Sequence, residues 1–110
     1  MKHFLIDFVN QTDEEVACKG MYGHCLGINH SLKHGVGTFI VLFLVTGLMN
    51  FNGICALALL DFALHYHIDY IKQNYSRSGV NTKSFWVAIG LDQMAHQFTY
   101  LFIVYCILQR

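Results

Sequence analysis

GVGTFIVLFLVTGLM, residues 35–49, contains no charged side chain, and its reading decides the fold. Extended back to His30 it forms a helix of about 20 residues, roughly 30 Å long at 1.5 Å per residue. That length matches the ~30 Å hydrocarbon core of a bilayer. Asn50-Phe51-Asn52-Gly53 follows and reads as a tight turn. Beyond the turn a second long helix is expected from about residue 54 to residue 74, apolar in its first half apart from Asp61. Ser76 to Thr82 reads as a loop, and Ser84 as the N-cap of a third long helix, 84–108.

Before the quoted run lie a glycine-rich loop, 19–29, and a short helix, 2–18. That first helix carries a polar stripe of His3, Asp7, Gln11 and Glu14, with Phe4, Leu5, Phe8 and Val9 around it. The expectation is therefore a single all-α domain over 1–110. It is an integral membrane helical bundle of three spanning helices plus a short N-terminal interfacial or re-entrant helix. Composition agrees. Only 13% of residues are charged, against roughly 25% in soluble domains, too few to coat a water-exposed surface. The rival, a soluble four-helix protein, has the uniform helix lengths and this charge deficit against it.

Charge also excludes and orients. Seven basic and seven acidic residues leave no basic block of the kind that binds nucleic acid. With the three long helices spanning, Lys2, Lys19, Lys33, Lys72, Arg77 and Lys83 share one face, and only Arg110 lies on the other. The positive-inside rule makes the first face cytoplasmic and sends the C-terminus across the membrane. The four cysteines lack CxxC spacing and read as idle thiols. Cys18, His24 and Cys25 form at most an unspecific zinc pattern.

Chemistry is suggested by repeated pairs of histidine and aspartate. His3-Phe4-Leu5-Ile6-Asp7, His65-Tyr66-His67-Ile68-Asp69 and Asp92-Gln93-Met94-Ala95-His96 each place the two residues at i,i+4, on one helix face. His30 and His34 are a further such pair, and Asp61 sits four residues before His65. Folding the helices about the expected turns sets His34 level with Asp69 and Asp92 level with His65 or Tyr66. His96 then falls a turn deeper, near Asp61. Imidazoles with carboxylates ligate zinc, and also manganese or iron. Ionisable groups inside a bilayer cost at least ~2.5–3.5 kcal/mol each, so Asp61 and Asp92 call for a compensating cation.

The metal-ligand candidates are thus His3, Asp7, His30, His34, His65, Asp69, Asp92 and His96. Gln11, Lys19, Asp61, Lys72 and Gln93 are expected around them or on substrate. His67 points away from His65 and reads as interfacial, and His24 has no assigned role. Tyr66, Tyr70, Tyr75 and Trp86 read as an interfacial aromatic belt. A metal-free hydrogen-bonded polar core is the alternative reading of the same residues.

These motifs resemble a family of small phage and bacterial membrane proteins, labelled domain of unknown function 3307. The shared pattern is His3, Asp7, Phe8 and Gln11, then Lys19, then His30 or His34, then His65, Asp69 and Lys72, and finally Asp92, Gln93 and His96. The resemblance covers nearly the whole chain and implies a fold and a site but no reaction. It places the protein in the inner membrane of a bacterial host. The motif style is similar to membrane-bound metal-dependent hydrolases. Three functions compete. One is a hydrolase of a phosphoester or lipid head group using a divalent metal, zinc first. The second is a non-enzymatic phage protein that binds a host membrane or defence protein, with the polar cluster structural. The third, ion transport, is weakened by the lack of polar groups between Thr38 and Met49. A homo-oligomer is compatible with any of these.

Overall fold

The computed structural model describes residues 1–47, 51–76 and 79–109, and among them there is no strand. Asn50 of the expected turn, Arg77 and Ser78 of the expected loop, and Arg110 lie outside the described residues. The helices are α1 (Lys2–Phe4), which runs into a wider π-helical turn (Leu5–Val9), then α2 (Asp13–Cys18), α3 (Cys25–Thr46), α4 (Phe51–Tyr75) and α5 (Lys83–Leu108). α3 and α4 are long and apolar enough to cross a membrane.

Several expected boundaries move, each for a local reason. The expected helix 2–18 is broken at Asn10, where φ is −110° and ψ 3°. The chain restarts at Thr12, whose side chain accepts from Glu15 N while Glu15 reaches back to Thr12 N. This reciprocal cap starts α2 afresh and buries Glu15, so Glu14 stays exposed instead of completing the stripe. α3 begins at Cys25, five residues early, because His24 Nδ1 accepts from Leu26 N and caps it. It ends where Gly47 takes φ 64°, a left-handed conformation that glycine adopts without strain. α4 starts at Phe51, so Phe51 to Gly53 are helical. α5 is capped by Thr82, not Ser84.

α3 and α4 form an antiparallel pair, set by contacts that climb one helix as they descend the other. His30 meets Asp69, His34 meets His65, Thr38 meets Asp61, and Leu42 joins Ile54 and Leu57 in an apolar cluster that Ile103 of α5 completes. The pair approaches closely at Gly35, where a Cβ would lie 3.0 Å from Phe62 Cβ and 3.1 Å from the Ala58 carbonyl. α5 packs on α4, and segment 2–9 lies against α3.

Burial is inverted relative to a water-soluble bundle. The enclosed side chains are mostly polar: His3, Glu15, His30, Ser31, His34, Thr38, Asp61, His65, Asp69, Asp92, His96 and Thr99. Large apolar side chains face outward, with Leu44 77%, Leu59 66% and Leu101 63% exposed.

Candidate metal centre

The enclosed polar groups are organised around charge, and four lysines set the pattern. Lys2 Nζ lies 2.6 Å from Asp61, Lys33 Nζ 2.6 Å from Glu15, Lys19 Nζ 2.8 Å from Asp69 and Lys72 Nζ 3.4 Å from Asp92. Asp61 thus finds its compensation in an ammonium from segment 2–9, together with the Thr38 hydroxyl at 2.5 Å. It stands outside the histidine cluster, and the divalent cation that the sequence reading assigned to it has no role there. The remaining inward acid, Asp7, has no lysine among its ion-pair partners in the described residues and meets imidazoles only.

Asp7 sits in the middle of the π-helical turn, whose wider winding is set by the Asn10 N to Leu5 O bond of 3.0 Å. Its Oδ1 lies 2.9 Å from His30 Nε2, 2.9 Å from His34 Nε2 and 3.9 Å from His65 Nε2. His30 Nε2 and His65 Nε2 are 3.3 Å apart, and all three imidazoles have 0% side-chain exposure. One oxygen and three ring nitrogens therefore face a common point. A metal ion at ~2.1 Å from its ligands spaces them roughly 3.0–3.4 Å apart, the octahedral and tetrahedral edges. Without a cation, a proton on one of His30 Nε2 and His65 Nε2 is donated to the lone pair of the other, so this contact also serves as a hydrogen bond in a polar core. The donor set of imidazoles and one carboxylate suits zinc, manganese or iron. Burial alone would raise the Asp7 pKa, yet contacts from His3, His30 and His34 hold the carboxyl well below the usual range. Asp7 is thus a ready anion for a cation at this point. Glu15 is likewise opposed by burial and held low by Lys33 and the Thr12 backbone.

His3 sits beside the centre. Its Nε2 is 2.9 Å from Asp7 Oδ2 without hydrogen-bond geometry, and its Nδ1 is 3.0 Å from the Tyr100 hydroxyl. Asp69, Asp92 and His96 form a second grouping and His3, His65 and His96 a third, so His65 is shared by the first and third and His96 by the second and third, the two rings 4.2 Å apart. Both His30 and His34 participate, so the choice between them dissolves. Lys19 and Lys72 hold carboxylates, and Gln93 Nε2 donates to Asp92 at 3.1 Å. Gln11 is half-buried, with its Oε1 unpartnered.

His67 is exposed and turned away, as its position predicts, with Nδ1 2.7 Å from the Ala63 carbonyl and Nε2 3.3 Å from the Tyr22 hydroxyl. The cysteines are free, and Cys18 and Cys25 join none of the ligand clusters among the described residues. The expected levels shift by about one turn between α3 and α4 and by about two between α4 and α5. His34 faces His65, and α5 slides so that His96 reaches Asp69 at 3.4 Å and Asp92 reaches Lys72. Sequence reasoning missed Lys2, Glu15, Thr38 and Tyr100. Only Glu15 left a readable signal, the Thr12-x-x-Glu15 capping pattern.

A family model described as a protein of unknown function (DUF3307) matches residues 1–110. No curated protein matches, and no solved structure does.

Proposed function

We propose that this chain, which belongs over its whole length to the family of proteins of unknown function DUF3307, is a membrane-embedded metal protein whose centre serves hydrolysis of a phosphoester or lipid head group. The observation that carries the reading is the convergence of Asp7 Oδ1 with the Nε2 atoms of His30, His34 and His65. Membrane insertion is supported by the length and apolar character of α3 and α4 and by the inverted burial. A polar interior under an apolar exterior is what a lipid solvent favours, since each buried charge must then find its partner inside the protein. On this reading α5 is the third span. The bias of lysines to one end of the helices supports a histidine cluster on the cytoplasmic side of a bacterial inner membrane and a periplasmic C-terminus.

When bound, a divalent ion, zinc first, supplies Lewis-acid polarisation of a phosphoryl oxygen and a water made acidic enough to react near neutral pH. The chain supplies the rest. Asp7, His30, His34 and His65 hold the ion. His3, between Asp7 Oδ2 and the Tyr100 hydroxyl, can carry a proton to or from the centre. Lys72, whose side chain is 34% exposed, can receive an anionic head group at the rim.

Enclosure favours a second reading, in which the ion is structural and the protein non-enzymatic, acting by contact with a host membrane protein. Four protein ligands close a tetrahedral zinc, whereas a catalytic ion keeps a position open. Metal analysis of the detergent-purified protein, followed by phosphate release from a soluble phosphoester and from phospholipid vesicles, tests both. Stoichiometric metal with metal-dependent release supports the hydrolase. Metal without release supports the structural reading. Absence of metal from protein supplied with zinc, manganese or iron leaves a polar core and sinks both.

A further inference from the structure

We infer that Asp69, Asp92 and His96 form a second divalent-cation subsite, distinct from the Asp7–His30–His34–His65 centre and joined to it through the Asp69 carboxylate. The inference rests on the metal-binding reading above and deepens it from one ion to two. Three observations carry it. First, the ligand atoms lie within 4.8 Å of one another, and all three side chains are buried. Second, Asp92 Oδ1 and His96 Nε2 have no hydrogen-bond partner, although His96 is only 2% exposed, and Asp69 Oδ2 is met by the Lys19 ammonium at 2.8 Å. His96 Nε2 lies 3.4 Å from Asp69 Oδ1 and 3.5 Å from Asp92 Oδ1, too long for ordinary hydrogen bonds, which run roughly 2.7–3.2 Å. Those spacings fit the ~3.3 Å edge of a tetrahedral ion. Third, Asp69 Oδ2 is 3.4 Å from His65 Nε2 and 3.5 Å from His30 Nε2, so one carboxylate faces both groups. A bridging carboxylate of this kind belongs to two-metal sites with ions about 3.5–4 Å apart.

The second subsite has three protein ligands where the first has four, and it adjoins open space. A groove of about 350 Å³ between α4 and α5 runs past Ile68, Ile71, Lys72, Leu91 and Asp92. Asp92 lines this groove, so an ion would reach the subsite from that side. Lys19 and Lys72 sit on the same two aspartates and supply positive charge while no cation is bound. An arriving ion competes with them for that role, and Lys72, at the groove, is the one able to swing away.

The full chain, stripped with a chelator in detergent, is titrated with Co²⁺ and read by calorimetry and visible absorption. Wild type is expected to take two equivalents, while His96→Ala and Asp92→Asn keep one. Lys72→Met removes the competing charge and is expected to tighten the second equivalent on the order of tenfold. This gain keeps the inference testable even if the ligand variants fail to fold. A single equivalent in wild type, retained by His96→Ala, overturns the second subsite and leaves the first centre standing. Unchanged or weaker second-site binding in Lys72→Met also overturns it. No Co²⁺ uptake by wild type overturns both readings.

Discussion

Replacing Lys2 with methionine removes one charge and little volume, and it isolates what segment 2–9 contributes. Lys2 Nζ lies 2.6 Å from Asp61 Oδ2, 2.7 Å from Thr38 Oγ1 and 3.1 Å from the His34 carbonyl. At this separation and an effective dielectric constant near 20, the gross attraction is roughly 6 kcal/mol. Burial offsets much of it, and indeed burial pushes the Lys2 pKa below its ordinary value despite Asp61 alongside. The intact pair is therefore close to neutral against an apolar substitute. Breaking it is different, because Asp61, 1% exposed, keeps its charge with only a hydroxyl for company. A loss of about 3–5 kcal/mol is expected for Lys2→Met. Asp61→Leu should cost less, since the Lys2 ammonium can move toward solvent. The double variant Lys2→Met/Asp61→Leu should regain most of the loss. Reversible unfolding in micelles, followed by circular dichroism, gives the full cycle. The reasoning is refuted if Lys2→Met costs under about 1 kcal/mol, or if the double variant is as unstable as the two single losses added.

Other consequences are open to direct measurement. His34→Ala and Asp7→Asn should each lower bound metal severalfold, while His67→Ala should leave it unchanged; equal loss from His67→Ala would contradict the face assignment. A chelator should lower the melting temperature of metal-loaded wild type clearly and that of His34→Ala only slightly, and identical shifts would separate the metal from the fold. Gly35→Ala should destabilise by about 1–3 kcal/mol because the Ala58 carbonyl cannot yield, whereas Gly90→Ala, with nothing within 4 Å, should be neutral or stabilising by up to about 1 kcal/mol. The opposite order would show that the α3–α4 approach is looser than described. Reporters fused after the C-terminus and inserted at Gly79 should give periplasmic and cytoplasmic signals respectively, and the reverse would invert the proposed orientation.

The residues of the centre were legible because an error of one helical turn leaves a helix face unchanged. Placing the turn at 50–53 set His34 level with Asp69, whereas α3 ends at Thr46 and α4 begins at Phe51, which brings His34 to His65 and His30 to Asp69. The displacement is four residues, close to the 3.6-residue period, so the same side chains still meet. Side-chain lean adds to the shift, because Cβ atoms on antiparallel helices tilt in opposite directions. Pairings made by long flexible side chains followed no such rule. Nothing in the spacing of Lys2 and Asp61 foretells their contact, which depends on segment 2–9 folding back over α3. The break at Asn10 was missed for a related reason: the stripe of His3, Asp7, Gln11 and Glu14 has helical spacing throughout, but the Thr12 cap starts a new helix inside it.

Segment 2–9 makes its contacts with residues far along the chain: Lys2 with Asp61 across 59 positions, and His3 with Tyr100 across 97. It is synthesised before those partners. Lys2 has no counter-charge in place until α4 is made, and His3 no hydroxyl to meet until α5 is made. During synthesis, at roughly 5–20 residues per second, the segment must wait for seconds in an undocked state. Asp7 travels with it, so the ion-binding point of Asp7, His30, His34 and His65 is complete only once α4 is made and the segment has docked. Acquisition of metal would therefore report that docking, and a chain truncated within α4 before His65 should lose its hold on the ion even with Asp7, His30 and His34 all present.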